Sequence, residues 1–304
     1  MSRYLIFSLS VVFLLSCIGC KSIDGKYIYE GDVLSLTKSH TQQGETIFYY
    51  ADKLGEIKLP KERNPLNYYR SASPYSCGLA LIEDVNYERK YIDMHGDVII
   101  DASEYDMCWG FEESVWGGNN GFKNLAFVSK NGTDPWDSDT KFGMINTKGK
   151  VVLPIEYEHV FLCSKDVPGD QNVGWVKKDG LYGAINKKTK LITPIKYSEV
   201  TQFDEGSALV KWNGCWGLID SKGKTIFPFT ITEVGQSNFN ALNRSPRYLV
   251  KQDNYWGIVN EKGKTIVSFN YTGWEEYPST DTIRLYKKNG DFITWNIKKD
   301  INLE

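Results

Sequence analysis

The stretch Trp216-Gly217-Leu218-Ile219-Asp220-Ser221-Lys222-Gly223-Lys224-Thr225-Ile226-Phe227-Pro228 decides how the chain is read, because other stretches repeat it. Phe142–Pro154, Tyr182–Pro194 and Trp256–Ser268 share its pattern: aromatic-Gly, an aliphatic, Asn or Asp, then Lys-Gly-Lys, strand formers and Pro. Thr189 replaces the second Gly in one copy, and Ser268 replaces the Pro in another. A Tyr often follows three residues later, as at Tyr157, Tyr197 and Tyr271. Two fainter copies precede these, at Asp52–Pro60 and Ile92–Ile100. The Asn/Asp anchors therefore fall at Asp52, Asp93, Asn146, Asn186, Asp220 and Asn260. Most lie about 40 residues apart, the period of a supersecondary repeat. Leu285–Gly290 reads as the start of a seventh, incomplete unit.

Each unit has a physical reading. Asn/Asp-x-Lys-Gly is a hairpin turn whose side chain caps the turn and whose Gly takes the left-handed position. Thr189 in that position predicts a strained turn or one of another type. A second turn precedes the aromatic, at Asp179-Gly180, Asn213-Gly214 and Asp253-Asn254. Apolar runs such as Ala208–Val210 and Leu249–Val250 read as strands between them,. Pro at the end of the third strand marks an edge or the end of pairing. The aromatic beside Gly suits a contact in which one unit's ring covers a neighbour's backbone.

These residues resemble the WG-repeat family, most closely at Trp216-Gly217-Leu218-Ile219-Asp220 and Trp256-Gly257-Ile258-Val259-Asn260, with Phe142 and Tyr182 in place of Trp. The resemblance is good over 141–271 and faint before it. It implies a β-repeat scaffold for binding and brings no catalytic residues with it. The expected fold class is all-β: six to seven units of three to four short antiparallel strands, arranged like a β-propeller or, alternatively, as an open stack of β-hairpins.

The N-terminus reads as an address. Arg3 precedes an apolar run from Tyr4 to Ile18 that is too short to span a bilayer comfortably, where about 20 residues are needed,. A basic start, a short apolar stretch and a small-residue exit describe a secretory signal. The exit Ser16-Cys17-Ile18-Gly19-Cys20 is similar to a lipoprotein processing site, with Cys20, after Gly19, as the lipidated residue and Cys17, after Leu14-Leu15-Ser16, as its competitor. The expected organisation is a lipoprotein signal peptide over 1–19, a lipidated Cys and short tether over 20–25, and a repeat domain over 26–304. Lys21, rather than Asp, after the candidate Cys favours the outer membrane of a bacterial cell envelope. Cys77, Cys108, Cys163 and Cys215 then remain, as disulfides or as buried thiols,.

With 36 Lys plus Arg against 38 Asp plus Glu, the net charge of −2 leaves no basic surplus for general nucleic-acid binding,. Hydrophobic residues at 41% exclude a disordered chain,. No nucleophile elbow, phosphate loop or dinucleotide fingerprint occurs. His40, His95 and His159 have no metal-ligand spacing, so neither metal nor cofactor is expected,. Asp134, Asp137 and Asp139 lack the Gly and terminal Glu of a calcium loop and read as a solvated turn,. Glu112-Glu113, read as strand neighbours, face opposite sides and make no acid/base couple. The lysines beside the turns read as charged protection of sheet edges.

The longest interval between anchors, from Asp93 to Asn146, holds two Trp-bearing insertions. Loops that interrupt a repeat often carry binding residues. Trp109, Trp116 and Trp136 are the candidates, for stacking on a sugar or peptide, or else for filling the core of a distorted unit. The functional expectation is a membrane-anchored, non-enzymatic scaffold with an envelope protein or glycan as partner. The competing readings are a structural subunit of an envelope complex and a glycan-active enzyme using acids such as Glu112 and Asp137.

Overall fold

The structure is a computed structural model, and it describes residues 34–40, 44–52, 54–60, 68–113, 115, 122–162, 173–235, 246–296 and 301–303. Among these residues it is all-β. Seven small antiparallel sheets follow one another along the chain, each an up-and-down meander whose sequence neighbours are ladder neighbours. Such meanders are the blade-sized units of a β-propeller-like repeat fold. Helical structure among the described residues is a single 3-10 turn, Pro278–Thr280, and no helix there is long and apolar enough to cross a membrane.

The chain divides into two compact units, Met1–Glu156 and Tyr157–Glu304. The first holds three sheets. Sheet one is Ser35–His40, Thr46–Ala51 and Ile57–Leu59. Sheet two is Ser71–Ala72, Ala80–Glu83, Arg89–Ile92 and Val98–Asp101. Sheet three is Met107–Cys108, Leu125–Lys130, Lys141–Asn146 and Val151–Tyr157. The second unit holds the rest. Sheet four is His159–Leu162, Val173–Lys178 and Leu181–Asn186. Sheet five is Glu199–Val200, Ser207–Trp212, Cys215–Asp220 and Thr225–Ile231. Sheet six is Glu233–Val234, Arg247–Gln252, Tyr255–Asn260 and Thr265–Tyr271. Sheet seven is Gly273–Tyr277, Thr282–Tyr286, Phe292–Asn296 and Ile301–Leu303. The tail expected to be an incomplete unit is thus the middle of a four-stranded sheet.

Strand alternation explains why the apolar runs are continuous. Ala208 and Val210 point into a core shared with Trp175 and Ala184 of sheet four. Leu209, between them, points into a core shared with Tyr248 and Val250 of sheet six. Leu249 in turn joins Ile283 and Leu285 of sheet seven. Successive side chains face opposite sides of a sheet, so a sheet covered on both faces needs apolar residues at every position. Each fully buried aliphatic contributes roughly 1.5–3 kcal/mol.

The repeated motif is a device of turns. In each copy one Asn/Asp Oδ1 accepts two backbone N–H groups, two and four residues on. Asp220 takes Lys222 and Lys224 at 2.9 and 2.8 Å, and Asn260 takes Lys262 and Lys264 at 3.0 and 2.9 Å. Asp52, Asp93, Asn146 and Asn186 do the same. The residue three after the anchor is left-handed, as at Gly223 with φ 82°. Thr189 keeps this geometry rather than changing turn type: φ is 60°, and its N–H still donates to the Asn186 carbonyl at 2.8 Å. Sequence reading missed one copy, Asp84-Val85-Asn86-Tyr87-Glu88, where Tyr87 holds the left-handed position at φ 66°. The preceding hairpins close on two left-handed residues, Asp179-Gly180, Asn213-Gly214 and Asp253-Asn254, as a type I′ turn demands.

The Gly after the repeated aromatic has a reason different from the one expected. A Cβ on Gly257 would lie 2.7 Å from the Val267 carbonyl oxygen, and one on Gly143 would lie 2.6 Å from that of Leu153. The pressing chain is the third strand of the same sheet, not a neighbouring unit. Its register shifts opposite this Gly, between the Trp256/Tyr271 and Ile258/Val267 pairs. Two of the motif's Pro residues, Pro154 and Pro228, sit inside third strands, and the strand of Pro228 is bulged, a place where a missing N–H is tolerated.

Candidate functional site

The irregular region of the first unit carries the candidate site. The first strand of sheet three is only two residues, Met107–Cys108, and the chain then turns through Trp109–Glu113. A cavity of about 250 Å³ opens between this turn and the start of sheet two, and its lining includes Ser73, Glu83, Arg89, Cys108, Trp109 and Glu113.

Each of these groups is held by its neighbours. The Trp109 N–H donates to the Phe127 carbonyl at 3.1 Å, and the Trp109 carbonyl accepts from the buried Tyr91 hydroxyl at 2.7 Å. Its half-buried ring lies 6.0 Å from that of Phe142. The Gly110 N–H donates to Glu113 Oε2 at 2.8 Å, so Glu112 and Glu113 lie in a turn, not in the strand expected. Arg89 Nε lies 3.5 Å from a Glu83 carboxylate oxygen, and Arg89 Nη1 donates to the Tyr105 carbonyl at 3.2 Å. Ser73 Oγ accepts the Leu81 N–H at 3.0 Å.

The thiols nearby are not activated. Burial pushes Cys108 up to about 12, against a smaller opposing pull from Arg89. Burial, aided by the Glu112 charge, pushes Cys77 up to about 11, and the Cys77 thiol donates to Glu112 Oε1 at 3.3 Å. Nucleophilic cysteines have lowered values, so these read as packed thiols. Cys77, Cys108 and Cys215 are free, and Cys163 lies outside the described residues.

The cavity combines an indole wall, a guanidinium donor and two carboxylate acceptors. Such a set is chemically suited to a small polar ligand with one apolar face. Its volume falls below the roughly 300–1,000 Å³ of pockets for drug-sized molecules. It therefore fits one sugar ring or one side chain of a larger partner.

Of the three tryptophans singled out, Trp109 lines the cavity. Trp136 is 78% exposed and does not line it. Trp116 and the lipidation candidate Cys20 lie outside the described residues. Asp134 and Asp137 spend carboxylate oxygens on the N–H groups of Trp136 and Asp139, at 2.9 and 3.0 Å. No group of side chains suited to a metal ion occurs among the described residues. Sequence reading missed Ser73, Glu83 and Arg89. They come from the preceding sheet, and only the stacking of sheet two on sheet three brings them to Trp109.

The chain belongs to the WG containing repeat family, whose model matches residues 91–133, 142–182, 182–214, 216–256 and 256–273. No curated protein matches it. Among solved structures, BamB from Moraxella catarrhalis is similar at 9% identity and a TM-score of 0.27, covering 86% of this chain and 81% of that one. A eukaryotic initiation factor is similar at 10% identity and a TM-score of 0.35, covering 88% and 83%. Likenesses of that order say nothing about what this chain does.

Proposed function

We propose that the protein is a membrane-anchored, non-enzymatic β-repeat scaffold of the bacterial cell envelope, and that the cavity beside Trp109 takes one unit of a glycan or protein ligand. The cavity carries this reading: it is built from fixed polar groups around a half-buried indole. The raised thiols favour binding over catalysis, as does a carboxylate, Glu113, already engaged with a backbone N–H. The signal-like N-terminus and Cys20 support the anchor, and Lys21 supports the outer membrane.

The test is a glycan array and an envelope pull-down with the full chain in detergent. Trp109→Ala should abolish capture of whichever ligand is found, while Trp136→Ala leaves it intact. Retained capture by Trp109→Ala rejects the cavity as the site. Turnover of an envelope polysaccharide by the purified protein rejects the non-enzymatic reading. Metabolic labelling with a fatty acid, lost in Cys20→Ala, checks the anchor.

A further inference from the structure

The three lysine-bearing turns of the second unit, Lys188-Thr189-Lys190, Lys222-Gly223-Lys224 and Lys262-Gly263-Lys264, follow one another by contact. A Cβ on Gly223 would lie 2.4 Å from the Ile192 carbonyl oxygen, and one on Gly263 would lie 2.1 Å from that of Ile226. Ile192 is two residues past Lys190, and Ile226 is two residues past Lys224. Each turn therefore rests on the backbone just beyond the preceding turn. The Asx hydrogen bonds hold all three in the same backbone geometry. Lys188 and Lys190, Lys222 and Lys224, and Lys262 and Lys264 follow one another along this edge, and all six are exposed.

These lysines differ from others in the same sheets. One strand earlier, Lys211 pairs with Glu199 at 2.6 Å and Lys251 with Glu233 at 2.7 Å. At the turns the anchor Asp220 is spent on backbone N–H groups. Glu261 reaches Lys262 only at 3.9 Å and is held by Arg247 at 2.8 Å. Among the described residues none of Lys188, Lys190, Lys222, Lys224 and Lys264 is paired with a carboxylate. Edge protection does not explain them either. They lie in turns, whereas unpaired ladder groups lie along an outer strand.

We infer that this ridge binds a linear acidic polysaccharide, its sugar carboxylates or phosphates lying along the paired lysines. Lysine offers a point charge without the planar fork that selects one anion geometry, which suits repeated anionic groups on a chain. Thr225 and Thr265, exposed beside Lys224 and Lys264, add hydroxyls for the sugar. A bilayer is a poorer fit, because among the large apolar side chains of the three turns only Leu191 is exposed, which leaves charge alone, at about tenfold or less per lysine, to hold a membrane surface. Single-stranded nucleic acid is a poorer fit, because no exposed aromatic lies in these turns to stack on bases,.

The ridge and the Trp109 cavity share no residue, so the test of one can fail without the other. The full chain in detergent is titrated with polygalacturonate, with neutral dextran as control. Binding should weaken about tenfold or more between 50 and 200 mM salt, as counterion release demands. Combined Lys222→Glu, Lys224→Glu, Lys262→Glu and Lys264→Glu should weaken it about 100-fold, since each basic residue facing an anionic surface contributes on the order of tenfold or less. The corresponding Lys→Arg set should retain binding and shows that the turns still fold. Lys287→Glu with Lys288→Glu, a control in a turn outside the stack, should change it less than about threefold. No binding of polygalacturonate overturns the inference. So does an equal loss in the control, or equally tight binding of phosphatidylglycerol vesicles or of DNA. Trp109→Ala should leave the polyuronate affinity unchanged.

Discussion

Two Trp-Gly pairs in this chain look alike and do different work. Trp256-Gly257 sits in a central strand of sheet six, and the Gly is there because a bulged third strand presses on it. The Trp256 ring is nearly buried, with Lys251 5.7 Å from its centroid. Trp109-Gly110 sits in a turn after a two-residue strand. Its Gly faces the flexible carboxylate of Glu113, and its Trp borders a cavity. The same dipeptide is scaffold where backbone meets backbone, and cavity wall where a sheet breaks off early. A motif's meaning is set by what packs against it.

The largest test of this contrast is a Cβ added at each Gly. Gly257→Ala should destabilise by about 2–3 kcal/mol, because a carbonyl oxygen on a paired strand must move. Gly110→Ala meets only the end of Glu113 and should lose less than about 1 kcal/mol, while ligand capture at the cavity falls. Urea unfolding of both variants checks the ranking. Equal losses would remove the distinction.

Next in size is the Asx anchor. Asn260→Ala strips two backbone N–H groups of their acceptor and should lose about 1–2 kcal/mol. Asn260→Asp should be nearly neutral, because Asp220 makes the same two bonds. Denaturant midpoints for the pair decide it. A smaller gain is expected at Thr189, a branched residue at φ 60°. Thr189→Gly should stabilise by about 0.5–1 kcal/mol, since relief of the left-handed strain exceeds the added chain entropy. An unchanged or lowered midpoint would mean that the Thr189 hydroxyl bond to the Lys188 carbonyl, 2.6 Å, offsets the strain.

The smallest effect concerns the thiols beside the site. With Cys77 raised to about 11 and Cys108 to about 12, on the order of one Cys77 thiol in a thousand is ionised at pH 8. Alkylation of both should be slow in the native chain and should speed up with rising pH and in denaturant. Peptide mass spectrometry after timed labelling reads this directly. Fast native labelling at neutral pH would make one of them an activated group and reopen a catalytic reading of the cavity.

Much of the scaffold was legible because its rules are local. An Asn or Asp whose side chain accepts two nearby N–H groups, followed by a left-handed Gly, needs no distant partner, so every anchor inferred from the repeat makes the expected turn. Legibility failed where the rule was met by unusual residues. Asp84–Glu88 has Tyr87 in the glycine position, and sheet seven lacks the aromatic-Gly pair, so one turn went unseen and one sheet looked incomplete. Glu112-Glu113 misled for a related reason: period-two reasoning applies to strands, and the strand there stops at Cys108.

By itself the sequence determined the all-β class, the repeat, the turn chemistry and the continuous apolar strands, all consequences of hydrogen bonds and alternation within a few residues. The tertiary structure alone decided which chain presses on each repeat Gly, that Arg89 and Glu83 of one sheet line a cavity with Trp109 of the next, and that each lysine-bearing turn of the second unit rests on the one before it. The first is a contact between paired strands of one sheet and the others are contacts between sheets, so all of them exist only once the strands have paired and the sheets have packed. Spacing along a strand says which way a side chain points, and only packing says what it meets.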